Sequence, residues 1–245
     1  METKKEKVFF VMPAYNEEAN IENVVRQWIG TVDRITSETT DAWLVIANDG
    51  SKDTTWKKMD QLRHKYPRFI PLDKPNSGHG ATVMYLYSYA IEQGADYIFQ
   101  TDSDGQTDPN EFNVFWSNRK LYDMQIGHRS ERQDGISRII VTKVLKWVVR
   151  FTFHVNVTDA NTPFRLMRTN SVKPVLDLIP QDFFLANVAL SAIAVRQGLT
   201  CRWLPITFKP RQGGANSINL RRIFRIGWKA VGDFYRINKS LPGKG

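Results

Sequence analysis

At 245 residues, with 42% apolar and 24% charged side chains, the chain has the composition of one large globular domain or two small ones, which excludes bulk disorder and a coiled coil. It is long enough to bury a core without staples, and the single Cys201 excludes an intramolecular disulfide framework and a cysteine-built zinc site. The net charge is +9, and between Pro205 and Gly245 nine Lys/Arg stand against one Asp, so nearly all of the excess sits at one end and calls for an anionic partner there.

The charged start Met1–Lys7 leads straight into an apolar run with no signal-peptide core. The longest stretch without Asp, Glu, Lys or Arg is Pro75–Ile91, interrupted by Asn, Ser, Gly and His, so no segment offers the ~20 apolar residues of a membrane span. The expectation is a soluble or peripheral protein. Lys7–Met12 is expected as a buried strand stopped by Pro13, followed by a helix over Glu17–Ile29 with Ile21, Val24, Val25 and Trp28 on one face. Trp43–Ala47 is a second strand, and Asp53 can N-cap a helix over about Thr54–Tyr66. Phe69–Leu72 is a weak third strand. The turn Asn76-Ser77-Gly78-His79-Gly80 opens a helix over Ala81–Gln93, and Tyr97–Gln100 is a fourth strand running into Thr101-Asp102-Ser103-Asp104-Gly105. Strands alternating with helices predict a mostly parallel α/β sheet. In such a sheet the acidic turns after strands one, two and four share the carboxyl edge, where ligands bind. Further on, Met124–Gly127 reads as a strand, Ile136–Val149 as a helix, Asp159–Pro163 as a turn, Phe184–Gln197 as a helix and Arg202–Phe208 as a last strand. A basic amphipathic helix over Ile218–Ile237 follows.

Each acidic turn is ambiguous alone. Asp102 and Asp104, two residues apart at a strand end, can converge on Mg²⁺ or Mn²⁺, with Gln106 supplying a further oxygen; Asp-x-Asp is also a common polar turn. Asp49 can simply close its strand, Glu17 can decorate a helix N-terminus, and Tyr15 can be core. Together, Val11-Met12-Pro13-Ala14-Tyr15-Asn16-Glu17-Glu18, Asn48-Asp49-Gly50-Ser51-Lys52-Asp53, Asn76-Ser77-Gly78-His79-Gly80 and Thr101-Asp102-Ser103-Asp104-Gly105-Gln106 resemble the inverting glycosyltransferases of family 2. The resemblance runs from about Lys7 to Phe208 and looks closest to the branch of dolichol-phosphate mannose synthase and the polyprenyl-phosphate glycosyltransferases.

That resemblance implies the GT-A nucleotide-sugar fold over residues 1–210, with 211–245 as a mobile basic loop and amphipathic helix attached to the same domain. It implies that Pro13, Ala14, Tyr15 and Glu17 line the nucleoside pocket, that Asp49 reads the base, and that Asp102 contacts nucleotide and metal. Asp104 and Gln106 would complete the metal ligands. Arg129, Lys143, Arg211 and Ser217 would hold phosphates, Lys143 standing where the branch usually has Arg, which gives a point charge in place of a bidentate fork. Asp159 and Arg165 fall on the family's Asp-x-x-Ser-Gly-Phe-Arg segment, with Pro163 in place of Gly; they can equally form a structural ion pair. In the loop Arg211–Ser217 the following residue is Ile218 where the branch often has Lys, and the loop is one residue longer.

The implied reaction is metal-dependent sugar transfer from a nucleotide diphosphate sugar to a polyprenyl phosphate, by a single inverting displacement. An acceptor phosphate is already ionised and needs no base, whereas a sugar hydroxyl acceptor needs one, for which Asp182 is the candidate, unless it only caps the next helix. A non-catalytic nucleotide-sugar sensor is a third reading, against which Asp102, Asp104 and Arg211 argue. His64, His79, His128 and His154 have no metal-ligand spacing. The basic stretches with Trp147, Phe151, Trp228 and Tyr235 suit an anionic membrane surface on the cytoplasmic face, or else helices packed on the sheet. A separate membrane subunit is a conceivable partner. Nucleic acid is not expected, since no binding motif accompanies the charge.

Overall fold

The computed structural model describes residues 4–129, 136–209 and 231–239. Seven strands, β1 (Glu6–Ala14), β2 (Thr40–Asp49), β3 (Phe69–Lys74), β4 (Tyr97–Gln100), β5 (Met124–Arg129), β6 (Arg165–Arg168) and β7 (Cys201–Ile206), form one sheet in the order β3-β2-β1-β4-β6-β5-β7. All neighbours are parallel except β6, which runs antiparallel to both β4 and β5. Helices α1 (Ile21–Ile35), α2 (Thr55–Arg63), α3 (His79–Glu92), α4 (Phe112–Ser117), α5 (Ile136–Phe153), α6 (Thr169–Leu176) and α7 (Ala186–Arg196) flank it, and residues 231–239 form an eighth, α8.

The period-2 alternation of β1 explains the two layers. Val8, Phe10, Met12 and Ala14 point to one face and join Ile21, Val24, Val25 and Trp28 of α1. There Phe10, Trp28, Phe99, Phe112 and Phe164 form an aromatic cluster; the Phe10–Phe112 ring centroids are 4.6 Å apart and the Phe99–Phe164 centroids 4.7 Å. Phe9 and Val11 point to the other face and join Val83, Leu86 and Tyr87 of α3 and the buried stretch Val188–Ala194 of α7, apolar except for Ser191. α8 closes this second core through Phe234, whose ring lies 5.5 Å from Phe153 and 5.4 Å from Phe183.

Several boundaries differ from the sequence expectation. β1 continues through Pro13, which pairs with Ala47. Its pairing with β4 has ended at Val11, so a residue without an N–H costs no ladder bond on that side. α1 begins at Ile21 and not at Glu17, because Asn16 has φ +54° and residues 17–20 make a separate turn in which the Glu17 carbonyl accepts from the amides of Asn20 and Ile21. α5 reaches Phe153, one turn beyond the expected end. Strand β6 and helices α4 and α6 were not anticipated.

Candidate active site

The turns after β1, β2 and β4 meet at the carboxyl edge of the sheet. They enclose a cavity of about 490 Å³ lined by Pro13, Ala14, Tyr15, Glu17, Asp49, Asn76, Gly78, His79, Asp102, Ser103 and Asp104. Thus Pro13, Ala14, Tyr15, Glu17, Asp49, Asp102 and Asp104, each chosen from sequence, lie together. Tyr15 is 43% exposed, with its ring available to a ligand, whereas Glu17 is buried and binds the amide of Asn20 at 2.8 Å.

The β1 and β2 turns brace one another. Asn16 accepts from the Lys52 amide at 2.8 Å and its own amide donates to the Ser51 hydroxyl at 3.0 Å. Asp53 accepts from the Thr55 amide and hydroxyl at 3.0 and 2.6 Å, but it is not the N-cap expected of it: α2 begins at Thr55 and its N-cap is Thr54. Asp49 organises the next loop. One oxygen accepts from Lys74 Nζ at 2.5 Å and from the Ser77 amide at 2.8 Å, and the other from the Gly78 amide at 2.9 Å. Burial of Asp49 opposes ionisation, but the Lys74 and Ser77 hydrogen bonds outweigh it and hold its carboxyl below the usual range. Gly78, at φ +89°, supplies the backbone reversal that aims its N–H at Asp49. Asp49 is therefore a buried anchor of the pocket wall and does not join a cluster of carboxylates around an ion.

The β4 turn carries two half-buried acids, Asp102 and Asp104. Ser103 donates to the Pro13 carbonyl at 2.7 Å, tying the turn to β1. The Gln106 amide donates to Asp104 at 3.1 Å. His79, at the start of α3, reaches Asp102 with Nε2 3.1 Å from Oδ1. Partial desolvation in the pocket works against protonation of His79, but the Asp102 carboxylate, with Asp104 and Asp49 beyond, raises its pKa above the ordinary imidazole value. The His79–Asp102 contact was not foreseen; only its place in the loop Asn76–Gly80 was marked.

The donor set suits a hard divalent ion. Asp102 and Asp104 present carboxylate oxygens to one cavity, and Mg²⁺ or Mn²⁺ is commonly held by one or two carboxylates together with substrate phosphates. Among the described residues no group of three or more His, Cys, Asp or Glu side chains could hold a metal alone. Gln106 is not among the residues lining the cavity; its side-chain amide donates to the Lys209 carbonyl at 2.8 Å.

The other candidates lie elsewhere. Arg165 is fully buried and donates to the carbonyls of Thr162 (2.6 Å), Asn187 (3.1 Å) and Ala160 (3.3 Å) and to the Ser191 hydroxyl. It ties the 159–163 turn to α7 and has no face toward the cavity. Asp159 is buried, and its charge counteracts the burial that pushes the Arg165 guanidinium down. Asp182 does not cap α7, whose N-cap is Leu185. It lines a second cavity of about 480 Å³ with Leu178, Pro180, Phe183, Phe184, Asp233, Arg236 and Ile237. The side chains of Arg129 and Lys143, and all of Arg211 and Ser217, lie outside the described residues, as does the expected helix up to residue 230.

Residues 9–171 match the model of Glycosyl transferase family 2. The UDP-N-acetylglucosamine–dolichyl-phosphate N-acetylglucosaminyltransferase of Methanococcus voltae is 30% identical over 97% of this chain and 97% of its own length. The polyprenol monophosphomannose synthase of Mycolicibacterium smegmatis is 22% identical over 87% of this chain and 82% of its own. Among solved structures, glucosyl-3-phosphoglycerate synthase from Mycobacterium tuberculosis, in complex with Mn²⁺, UDP-glucose and phosphoglyceric acid, superposes with a TM-score of 0.66 at 15% identity, over 98% of this chain and 82% of that one. That likeness makes the sheet and its flanking helices a GT-A fold. With the family match extending over the three turns that build the cavity, the chain belongs to glycosyl transferase family 2 and is an enzyme that transfers a sugar.

Proposed function

We propose that this enzyme transfers a sugar from a nucleotide diphosphate sugar to a polyprenyl phosphate, using Mg²⁺ or Mn²⁺ on Asp102 and Asp104. The observation that carries the reading is the convergence of Tyr15 and Asp49 with Asp102 and Asp104 on one cavity at the sheet's carboxyl edge. The nucleoside lies along Pro13–Tyr15 with its base toward Asp49, and the diphosphate lies toward the β4 turn. A divalent ion there would offset the charge of the departing nucleotide diphosphate. The acceptor phosphate oxygen forms a bond to the anomeric carbon as the bond to the diphosphate oxygen breaks on the opposite face, which inverts the centre. No proton needs removal, because the acceptor is already an anion. Arg129, Lys143, Arg211 and Ser217 are the proposed phosphate holders.

The acceptor class is supported by the names of the relatives, which specify dolichyl phosphate and a polyprenol, and by the outer face of α5. Trp147 and Phe151 are 58% and 67% exposed, stack at 5.3 Å, and are flanked by exposed Lys146 and Arg150. An aromatic pair among cations suits the headgroup layer of an anionic membrane on its cytoplasmic face. Among the described residues no helix is long and apolar enough to cross a membrane. α8 takes a smaller part, since Phe234 and Ile237 face the core and, of its described apolar side chains, only Val231 and Tyr235 stand out. A hydroxyl acceptor with Asp182 as base is disfavoured, because Asp182 lines the other cavity.

The test is a panel of UDP- and GDP-sugars with Mn²⁺, offered undecaprenyl phosphate, dolichyl phosphate or sugar hydroxyl acceptors. The expected product is a lipid-linked sugar phosphate formed from one donor and abolished by EDTA. Transfer only to hydroxyls would overturn the acceptor, and a donor bound but never consumed would make the protein a sensor.

A further inference from the structure

His79 is the one imidazole lining the cavity, and its surroundings fix it from several directions. Its backbone is mounted between Gly78, whose N–H is on Asp49 Oδ2 at 2.9 Å, and Gly80. A Cβ on Gly80 would lie 2.3 Å from the Phe183 carbonyl oxygen and 2.6 Å from the Phe184 backbone, so the first turn of α3 is pressed against the 183–184 segment. Thr82 adds a hydroxyl bond to the Gly78 carbonyl at 3.1 Å. From this mount the ring reaches across 23 residues of sequence to Asp102 Oδ1 at 3.1 Å. An ionised carboxylate only accepts, so Nε2 carries the proton in either charge state of the ring. The contact thus does not depend on titration of His79. It engages one oxygen of Asp102 and leaves the other to a ligand.

The result is a continuous path Asp49–Gly78–His79–Asp102 from the nucleoside end of the cavity to the metal end. Resting on the function proposed above, we propose that His79 is a positioning residue: it orients Asp102 for the divalent ion and couples that ion's binding to the binding of the nucleotide at Asp49. Coupling of this kind is reciprocal, so nucleotide tightens metal by the same factor as metal tightens nucleotide.

The experiment measures Mn²⁺ binding by electron paramagnetic resonance and UDP binding by calorimetry, each with and without the other ligand, on the wild type and on His79→Ala and His79→Gln. The expected result is a Mn²⁺ affinity in the UDP complex about tenfold weaker in His79→Ala, the size of one lost charge-assisted hydrogen bond. UDP binding without metal should stay within about twofold, and His79→Gln, which keeps an N–H donor, should recover much of the loss. Three results would overturn the inference: Mn²⁺ affinity and coupling unchanged in His79→Ala, an equal loss of metal-free UDP binding, or no recovery in His79→Gln while its thermal unfolding matches the wild type. A wild type that binds neither UDP nor Mn²⁺ would sink the underlying functional reading instead, so the two failures are distinct. Because the His79 side chain is half-exposed, both variants are expected to fold.

Discussion

The first half of the molecule, up to the β4 turn, holds its cavity by polar contacts between turns: Asp49 on Ser77 and Gly78, Asn16 on Lys52, Ser103 on Pro13, His79 on Asp102. In the half built from α5, α7 and α8, apart from the Arg165 clamp, packing dominates. Phe153, Phe183 and Phe234 meet edge to face or tilted, the second cavity has an apolar wall with charges at its rim, and Trp147 and Phe151 stand outside. Directional bonds fix atoms to within tenths of an ångström, which a diphosphate and a metal require.

Five measurements can break or sharpen that contrast. Asp104→Asn is expected to lower transfer by roughly a hundredfold or more while leaving the thermal midpoint in place, since it removes charge from the diphosphate end without disturbing the core; turnover and calorimetry check it. Arg165→Met strips the donors from the Ala160, Thr162 and Asn187 carbonyls and is expected to cost about 3 kcal/mol in urea unfolding. A cost below about 1 kcal/mol would mean that packing alone holds that half. Trp147→Ser and Phe151→Ser should each weaken binding to anionic vesicles roughly tenfold, without changing the thermal midpoint, because both side chains lie outside the core. Unaltered vesicle binding would remove α5 from the membrane surface.

A smaller effect concerns acid. Burial of Asp123 opposes ionisation, but hydrogen bonds from Thr200 and Ser171 hold its pKa below the ordinary aspartate value. The folded state therefore gains from this group above the unfolded pKa and loses that gain as pH falls through the folded value. Asp123→Asn should be less stable at neutral pH and show a shallower acid limb, by urea unfolding at a series of pH values. The smallest change is expected for Asp182→Ala, with transfer to polyprenyl phosphate within about twofold of wild type. A collapse there would restore the hydroxyl-acceptor reading.

The same contrast explains what the sequence disclosed. The donor turns were legible because each interrupts an apolar run at a strand end, so Asp49, Asp102 and Asp104 announce themselves by position. β6 was not, because Arg-Leu-Met-Arg has charged ends and no alternation; its pairing with β4 and β5, and the burial of Arg165 on α7, come from distant partners. α6 was hidden by Pro174 in its interior. The false start of α1 came from reading Glu17 as helical when Asn16 adopts a left-handed backbone. The loop Asn76–Gly80 was legible as a motif, but the role of His79 within it appears only when α3 is set against the β4 turn.

Gly80 has one consequence for engineering. Because a side chain there would collide with the 183–184 backbone, the cavity of the acidic turns and the second cavity share a partition with no slack: Gly78, His79 and Gly80 on one side, Phe183 and Phe184 on the other. Chimeras that replace the segment between α6 and α7 must therefore preserve this seam, or they will shift the mount of the histidine and disturb the first cavity even when every grafted residue is well chosen.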